Sequence, residues 1–161
     1  SDEAGPFEIL QARQLLESSI AEFAALQVTP KDIANMRAAL SLEQEELASD
    51  SDLAKGDEDF HLCIAQATQN SMLVDMLKAL WAARENSPMW NQLHARISNR
   101  AYRSEWLIDH SKILAAIQRK DPVASKQAMW QHLENVKTKL IELSDIDDPS
   151  FDGFLFSSPP R

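Results

Sequence analysis

The sequence predicts an all-α protein, an antiparallel bundle of six or seven helices. Three observations predict it. Apolar residues recur at three- and four-residue intervals along most of the chain, the repeat of a single helix face. No segment alternates apolar and polar residues with the period of a strand. The chain holds only three glycines, Gly5, Gly56 and Gly153, too few for a turn-rich β sandwich.

The first helix reads from Phe7 to Leu26, with Pro6 where a first-turn proline is tolerated. Its apolar residues are Phe7, Leu10, Leu15, Leu16, Ile20, Phe23, Ala24 and Leu26. Arg13 and Glu17 stand four apart and can pair, on one reading as a surface ion pair. Thr29-Pro30-Lys31-Asp32 opens the second helix with an N-cap, a first-position proline and an acidic first turn. That helix carries Ile33, Met36, Leu40 and Leu47, and its later surface reads as acidic, with Glu43, Glu45 and Glu46. Ser49 to Gly56 is a polar linker.

A third helix opens near Gly56 and carries Phe60, Ile64, Ala65 and Ala67, with Cys63 in a core register. Asn70-Ser71 marks a break before a fourth, which holds Leu73, Met76, Leu77, Leu80 and Trp81. Asn86-Ser87-Pro88 ends it, because the residue before a proline is pushed out of the α region. Met89 to Arg100 is ambiguous: Trp90, Leu93 and Ile97 have helical spacing, but polar residues lie between them. Trp106, His110, Ile113, Leu114 and Ile117 stripe a fifth long helix that finishes near Arg119 or Lys120. Asp121-Pro122 restarts the chain, and the last helix shows Met129, His132, Val136, Leu140 and Leu143. An acidic run, Asp145 to Asp148, leads to an apolar tail of Phe151, Phe154, Leu155 and Phe156. The tail is too short for a helix of consequence and is expected to pack on this domain or on a neighbouring subunit.

Composition narrows the function. A chain of 161 residues with 44% hydrophobic residues is one domain with a substantial core, not a disordered chain. A net charge of −9 without any block of Lys and Arg argues against nucleic-acid binding by these residues alone. The scarcity of glycine argues against a dinucleotide fingerprint or a phosphate loop. No run is apolar enough to span a membrane and no signal peptide is visible, so no membrane partner is implied. Cys63 is the only cysteine, which forbids an internal disulfide and suits a reducing cytoplasm. The chain opens Ser1-Asp2-Glu3 without a methionine, and reads as an excised piece of a longer protein.

Chemistry concentrates in Asp57, His61, His110 and His132. Asp57 and His61 are four apart, which puts both on one helix face one turn apart, the spacing with which a helix donates two metal ligands. His110 and His132 each fall within the apolar stripe of their own helix and should point inward. On one straight helix they would be roughly 33 Å apart, whereas two antiparallel helices can bring them to one ion. Three histidines and a carboxylate make an N3O set suited to one divalent metal, zinc first, with nickel and manganese also accommodated. Taken singly, each histidine reads as well as a hydrogen-bonded core residue, and Asp57 as a first-turn residue favoured by the helix dipole.

A set of ordered motifs then carries a resemblance. Arg13-Gln-Leu-Leu-Glu17, Asp57-x-x-Phe60-His61, Asn70, Asp109-His110-x-x-Ile113 and Ala128-Met-Trp-Gln-His132-Leu133 resemble the effector-binding and oligomerisation (FCD) domain of the FadR branch of the GntR superfamily. The likeness runs from about Pro6 to Ser144. Gly5 to Ser18, Ala128 to Lys137 and Phe151-Asp-Gly-Phe-Leu-Phe156 further resemble hexuronate-pathway repressors of the ExuR and UxuR type. The resemblance implies a bundle around a central metal and ligand cavity, with Asp57, His61, His110 and His132 as metal ligands. It also implies a small carboxylate effector bound beside the metal, with Arg13 and Asn70 as ligand-binding candidates, although Asn70 reads equally as a helix cap. Asp109 stands where the family usually has Glu, a position that is not a ligand. In that family a winged-helix DNA-binding domain precedes this one, so residues 1–161 would be the effector domain alone and operator DNA would be reached through the missing part. The effector would be a hexuronate or a derived ketouronate, and the assembly a homodimer.

Two rival readings use the same residues. A metal-dependent hydrolase or isomerase would need a general base near the metal. Glu58 and Asp59 are adjacent in sequence, but their helical angle turns them from the metal face, and no His-Glu-x-x-His motif occurs. A purely structural dimerisation module would need no ligand.

Overall fold

The computed structural model describes residues 4–49, 51, 53–97 and 100–161, with the side chains of 94, 95, 97 and 100 left out of the description. Seven helices are described: α1 (Pro6–Gln27), α2 (Pro30–Ala48), α3 (Lys55–Gln66), α4 (Ser71–Glu85), α5 (Pro88–Ile97), α6 (Arg100–Gln118) and α7 (Pro122–Leu143). No strand occurs among the described residues. The ambiguous stretch after Pro88 is a helix of its own, α5, opened by Ser87, whose Oγ accepts from the Trp90 N–H at 3.3 Å. The side chains of Ile97 and Arg100 lie outside the described residues, as do Ser1 to Glu3 and, in the polar linker, Asp50 and Asp52. No helix among the described residues is long and apolar enough to cross a membrane.

α1 packs along α7, α2 along α3, and α6 against both α7 and α2, while α4 rests on α1 and α3. His110 meets His132, and Asp109 meets Asn135, so α6 and α7 run antiparallel through the site region. Phe7, Met36, Phe60, Ile64, Ile113, Ile117, Leu133 and Leu140 fill the space between the helices. α1 covers the core with Phe7, Leu10, Ile20 and Ala24, but Leu15, Phe23 and Leu26 of its expected apolar set face outward. Cys63 is half-buried at the margin of the core.

The start signals act as the sequence suggests. Thr29 and Asp32 form a reciprocal capping box on α2. Asp121 Oδ1 accepts from the Ala124 N–H at 3.0 Å at the start of α7. Two helices lack a cap of their own and borrow one. The residue before α3 is Ala54, and the carboxylate of Glu46 on α2 accepts from the N–H groups of Lys55 at 3.0 Å and Gly56 at 2.7 Å instead. The residue before α1 is Gly5, and Asp152 of the tail reaches back to accept from the Glu8 N–H at 3.3 Å.

The acidic surface expected on α2 is therefore a correction: Glu43 and Glu46 are buried, and only Glu45 of the three faces water. The tail packs back on its own domain. Phe151 meets Phe7 edge to face with centroids 5.4 Å apart, and the Trp130 indole donates to the Pro159 carbonyl at 2.9 Å. Phe154 and Leu155 stay exposed.

Gly56 marks the closest approach of α2 and α3. A Cβ there would lie 2.3 Å from the backbone nitrogen of Glu43 and 2.5 Å from its Cα. Helix propensity alone would favour alanine by about 1 kcal/mol. Backbone cannot rotate aside as a side chain can, so overpacking should dominate and Gly56→Ala should cost about 1–3 kcal/mol. A urea midpoint that stays level or rises in Gly56→Ala would show that the two helices are free to separate.

Candidate metal centre

α3, α6 and α7 each carry one histidine to the middle of the bundle. His61, His110 and His132 are all buried, and one ring nitrogen of each lies within 4.8 Å of those of the other two. The Nε2 of His110 is 3.3 Å from that of His61 and 3.1 Å from that of His132. Asp57, one turn ahead of His61, brings Oδ1 to 3.4 Å from the Nε2 of His61 and 3.5 Å from that of His110. The structure thus brings together all four residues that the sequence singled out as metal ligands.

Each imidazole is held from behind by a carboxylate. His61 Nδ1 meets Glu17 Oε1 of α1 at 2.5 Å, His110 Nδ1 meets Glu43 Oε2 of α2 at 2.7 Å, and His132 Nδ1 meets Asp109 Oδ2 of α6 at 3.0 Å. A carboxylate facing Nδ1 takes the hydrogen there and turns Nε2 toward the centre, where it can serve as a ligand once its own proton is lost. The Nε2 atoms of His61 and His132 both approach that of His110. Tetrahedral zinc with nitrogens at about 2.0–2.1 Å sets those nitrogens roughly 3.3 Å apart, close to the spacing found here. The donor set could therefore hold a divalent ion with little movement.

The surrounding charges shift the groups of the cluster in opposite directions. Burial works to raise the Glu17 carboxyl, but the charges of Arg13 and His61 outweigh it and bring it down to about 2. Burial also opposes charge on Asp57, and the His61 hydrogen bond, with His110 and Arg84 nearby, still holds it well below the carboxylate range. His61 loses from burial but gains more from Glu17 and Asp57, and rises to about 9. His132 is pushed down to about 4 by burial and by His110. The carboxylates around His61 thus favour its charged form, while burial and His110 keep His132 neutral. Four carboxyl groups, Glu17, Glu43, Asp57 and Asp109, and two guanidiniums, Arg13 and Arg84, stand around the three histidines.

Arg13 and Glu17 are 4% and 2% exposed, which overturns the surface-pair reading. Arg13 Nε donates to Glu17 Oε2 at 2.7 Å, while the other oxygen of Glu17 serves His61. The Arg13 guanidinium lies 4.6 Å from the centre of the Trp81 ring, and that ring lies 5.3 Å from His61. Asn70 is not brought to the cluster. It is an exposed N-cap of α4, its Oδ1 accepting from the N–H groups of Met72 at 3.0 Å and Leu73 at 3.4 Å.

The sequence reading missed the supporting carboxylates and Arg84. Glu43 lies within an acidic stretch that reads as solvated, and Asp109 reads as a non-ligand. One signal was available for Asp109: an acidic residue directly before an inward histidine can reach the facing helix, and here it takes His132 rather than its neighbour.

Fold and site together define a helical bundle with a buried histidine–carboxylate centre. Residues 8–135 match the FCD domain, and the chain belongs to that family. It is 60% identical over 161 residues to the Uxu operon transcriptional regulator of Escherichia coli K12, a match covering 99% of this chain and 63% of that protein. It is 47% identical over 158 residues to the Exu regulon transcriptional regulator of the same organism, covering 97% of this chain and 60% of that protein. The chain thus spans about three-fifths of these curated relatives. A solved structure described as E. coli McbR/YncC shares the fold, with a TM-score of 0.73 at 23% identity over 84% of this chain and 63% of that one.

The depth of the Arg13–Glu17–His61 chain has a measurable consequence. Glu17→Gln leaves a buried guanidinium without its anion, and should cost about 3 kcal/mol in chemical denaturation. Lys139 and Glu142 form a comparable pair at 3.5 Å in water, with Glu142 54% exposed, and Glu142→Gln should cost less than about 1 kcal/mol. Equal losses would mean that burial of the first pair does not matter.

Proposed function

We propose that this chain is the effector-binding and oligomerisation domain of a GntR/FadR-type transcriptional regulator of hexuronate metabolism, a repressor that senses a sugar acid at a metal centre. One observation carries the reading: three histidine Nε2 atoms converge beside Asp57, each imidazole backed by its own carboxylate. The family membership and the regulators it resembles support the regulatory role. Asp57, His61, His110 and His132 would hold one divalent metal, with zinc the first choice and nickel or manganese suited to the same donors. A bound ion would supply a Lewis-acid centre for carboxylate and hydroxyl oxygens of the effector. Asp57 is the most open of the four, its side chain 22% exposed, so ligand access is easiest on its side.

The carboxylates argue for sensing rather than turnover. Glu17, Glu43 and Asp109 are each committed to a histidine Nδ1, and Asp59 pairs with Lys55 at 3.0 Å. None of these is free to take a proton from a metal-bound substrate, which disfavours the hydrolase or isomerase alternative. Effector binding would bias the bundle between two arrangements, and a preceding winged-helix domain would read that bias on operator DNA in the cytoplasm. A homodimer suits paired half-sites. Its surface would draw on Phe23 and Leu26 of α1 and Met72 and Met76 of α4, exposed apolar residues on two helices that pack together.

Protein purified without chelator should carry close to one divalent ion per chain by elemental analysis, and His110→Ala should lose it. Glu43→Gln should keep the ligands but weaken metal binding roughly ten- to hundredfold, because the imidazole loses its orienting partner. Protein that neither carries nor takes up zinc, nickel or manganese would end the metal reading. In the metal-loaded chain, a hexuronate at a hundred times its Kd should add about 2.7 kcal/mol of stability. That corresponds to a rise in Tm of roughly 5–10 °C, abolished by chelation. Sedimentation at micromolar concentration should give a dimer, and a monomer there would remove the assembly from the proposal.

A further inference from the structure

Two polar groups near the histidines have no partner. The Nε of Arg84 and the indole Nε1 of Trp81 are buried and make no hydrogen bond. They belong to residues three apart on α4, so both lie on one face of that helix, a turn apart. Both are donors only. Buried donors without acceptors are rare and costly, and two on one face ask for an explanation.

The setting of Arg84 supplies one. Its guanidinium lies 4.0 Å from the centre of the Trp81 ring and 4.7 Å from that of Trp90 on α5. Two indoles lie against it, and a guanidinium that packs on aromatic rings keeps the N–H groups in its own plane for an acceptor. That planar edge matches a carboxylate bidentately, which an ammonium cannot do. Arg84 has no ion pair to a carboxylate among the described residues. The acidic groups closest in effect are already taken: Glu17 by Arg13 and His61, and Asp57 by His61 and His110. Burial, and then the charge of Arg13, push the Arg84 guanidinium down to about 10, as expected of a cation short of anions. Arg13 is in the opposite position, with its Nε committed to Glu17.

We propose that Arg84, not Arg13, grips the carboxylate of the effector, and that the Trp81 indole N–H donates to an oxygen of the same molecule. Arg13 is then a positioning residue that acts through Glu17 on His61. The inference rests on the reading of this domain as a sugar-acid sensor and assigns its anion contact. The Trp81 ring is 5.3 Å from the His61 ring, so this face of α4 borders the histidine cluster. The ligand class is an acid whose carboxylate has hydroxyl or carbonyl oxygens beside it. A neutral sugar or the methyl ester of the same acid would leave Arg84 without its anion.

Calorimetry of the metal-loaded 161-residue chain tests this with glucuronate, galacturonate, fructuronate and tagaturonate, then with lactate and citrate. Circular dichroism and metal content serve as controls. For the acid that binds, Arg84→Lys should weaken affinity roughly ten- to hundredfold with helicity and metal unchanged. Trp81→Phe keeps the ring and deletes the N–H, and should lose about tenfold. The methyl ester should bind poorly and equally to wild type and Arg84→Lys. Arg13→Lys should weaken metal retention, the property that a contact through Glu17 and His61 would move. Unchanged affinity in both α4 variants, with a loss confined to Arg13→Lys, would overturn the assignment and leave the effector reading standing. Binding of lactate or citrate alone, dependent on Arg84, would overturn the hexuronate class and keep Arg84. No heat with any acid would overturn both.

Discussion

The structure depends on a buried charge balance. His61, His110 and His132 are between 0% and 3% exposed, and charge at that depth is tolerated only when it is paired. Apolar side chains surround the cluster: Phe60 lies 4.7 Å from His110 ring to ring, and Trp81 covers His61. Within that shell each imidazole has its own anion, and the anions arrive from different helices. Glu17 comes from α1, Glu43 from α2 and Asp109 from α6. Swapping such a network for well-packed apolar residues is often neutral or stabilising. Stability therefore does not explain why it is there. Orientation does: with Nδ1 tied, each ring is fixed in direction, and the Nε2 atoms of His61 and His132 both come within 3.3 Å of that of His110.

That requirement sets how the helices are placed. Glu43 reaches His110 only if α2 lies tight on α3 and α6, and the backbone contact at Gly56 is that tightness made visible. Glu46, one turn beyond Glu43, spends its carboxylate on the open end of α3, which starts the helix two residues before Asp57. The same short stretch of α2 thus orients one histidine and anchors the helix that carries another. At the opposite side, α1 and α7 are joined twice. Inside, Gln14 donates to the Trp130 carbonyl at 3.1 Å and to Glu134 at 2.9 Å. Outside, the tail links Gln11 of α1 to Trp130 and Lys137 of α7 through the backbone carbonyls of Ser157, Pro159 and Phe156.

How far the sequence reveals this differs by residue. Helix starts are local, so Thr29, Pro30, Asp121 and Pro122 announce them correctly. The residues of the inner cluster are also legible, because Asp57 and His61 share a face by spacing, and His110 and His132 interrupt apolar stripes that have to be buried. The partners behind them are not legible in the same way. Glu17 and His61 are 44 residues apart, and Glu43 and His110 are 67 apart. Nothing local distinguishes a glutamate that backs a buried histidine from one that faces water. Glu43 and Glu45, two positions apart, look alike in sequence and end on opposite sides of α2. The same limit hid Arg84, which occupies the last turn of α4 where a basic residue is expected for the helix dipole alone. Its guanidinium is covered by Trp81 and Trp90, and Trp90 belongs to the stretch whose helical state the pattern leaves open.

The contrast between Arg13 and Arg84 shows what kind of evidence each residue needs. Both guanidiniums touch the Trp81 ring, and both lie within the electrostatic reach of Glu17. Arg13 meets its anion one helical turn away, so its i,i+4 partner is written in the sequence and its Nε is spent before any ligand arrives. Arg84 has Glu85 beside it in sequence, but adjacent residues on a helix do not face each other. Its charge is consequently left to whatever the folded site brings near it. Sequence pairing is therefore the better guide to residues that hold a site together, and lack of pairing in the folded chain the better guide to residues with capacity left for a ligand. In this bundle the first class builds the histidine centre and the second borders it, one helix away on α4.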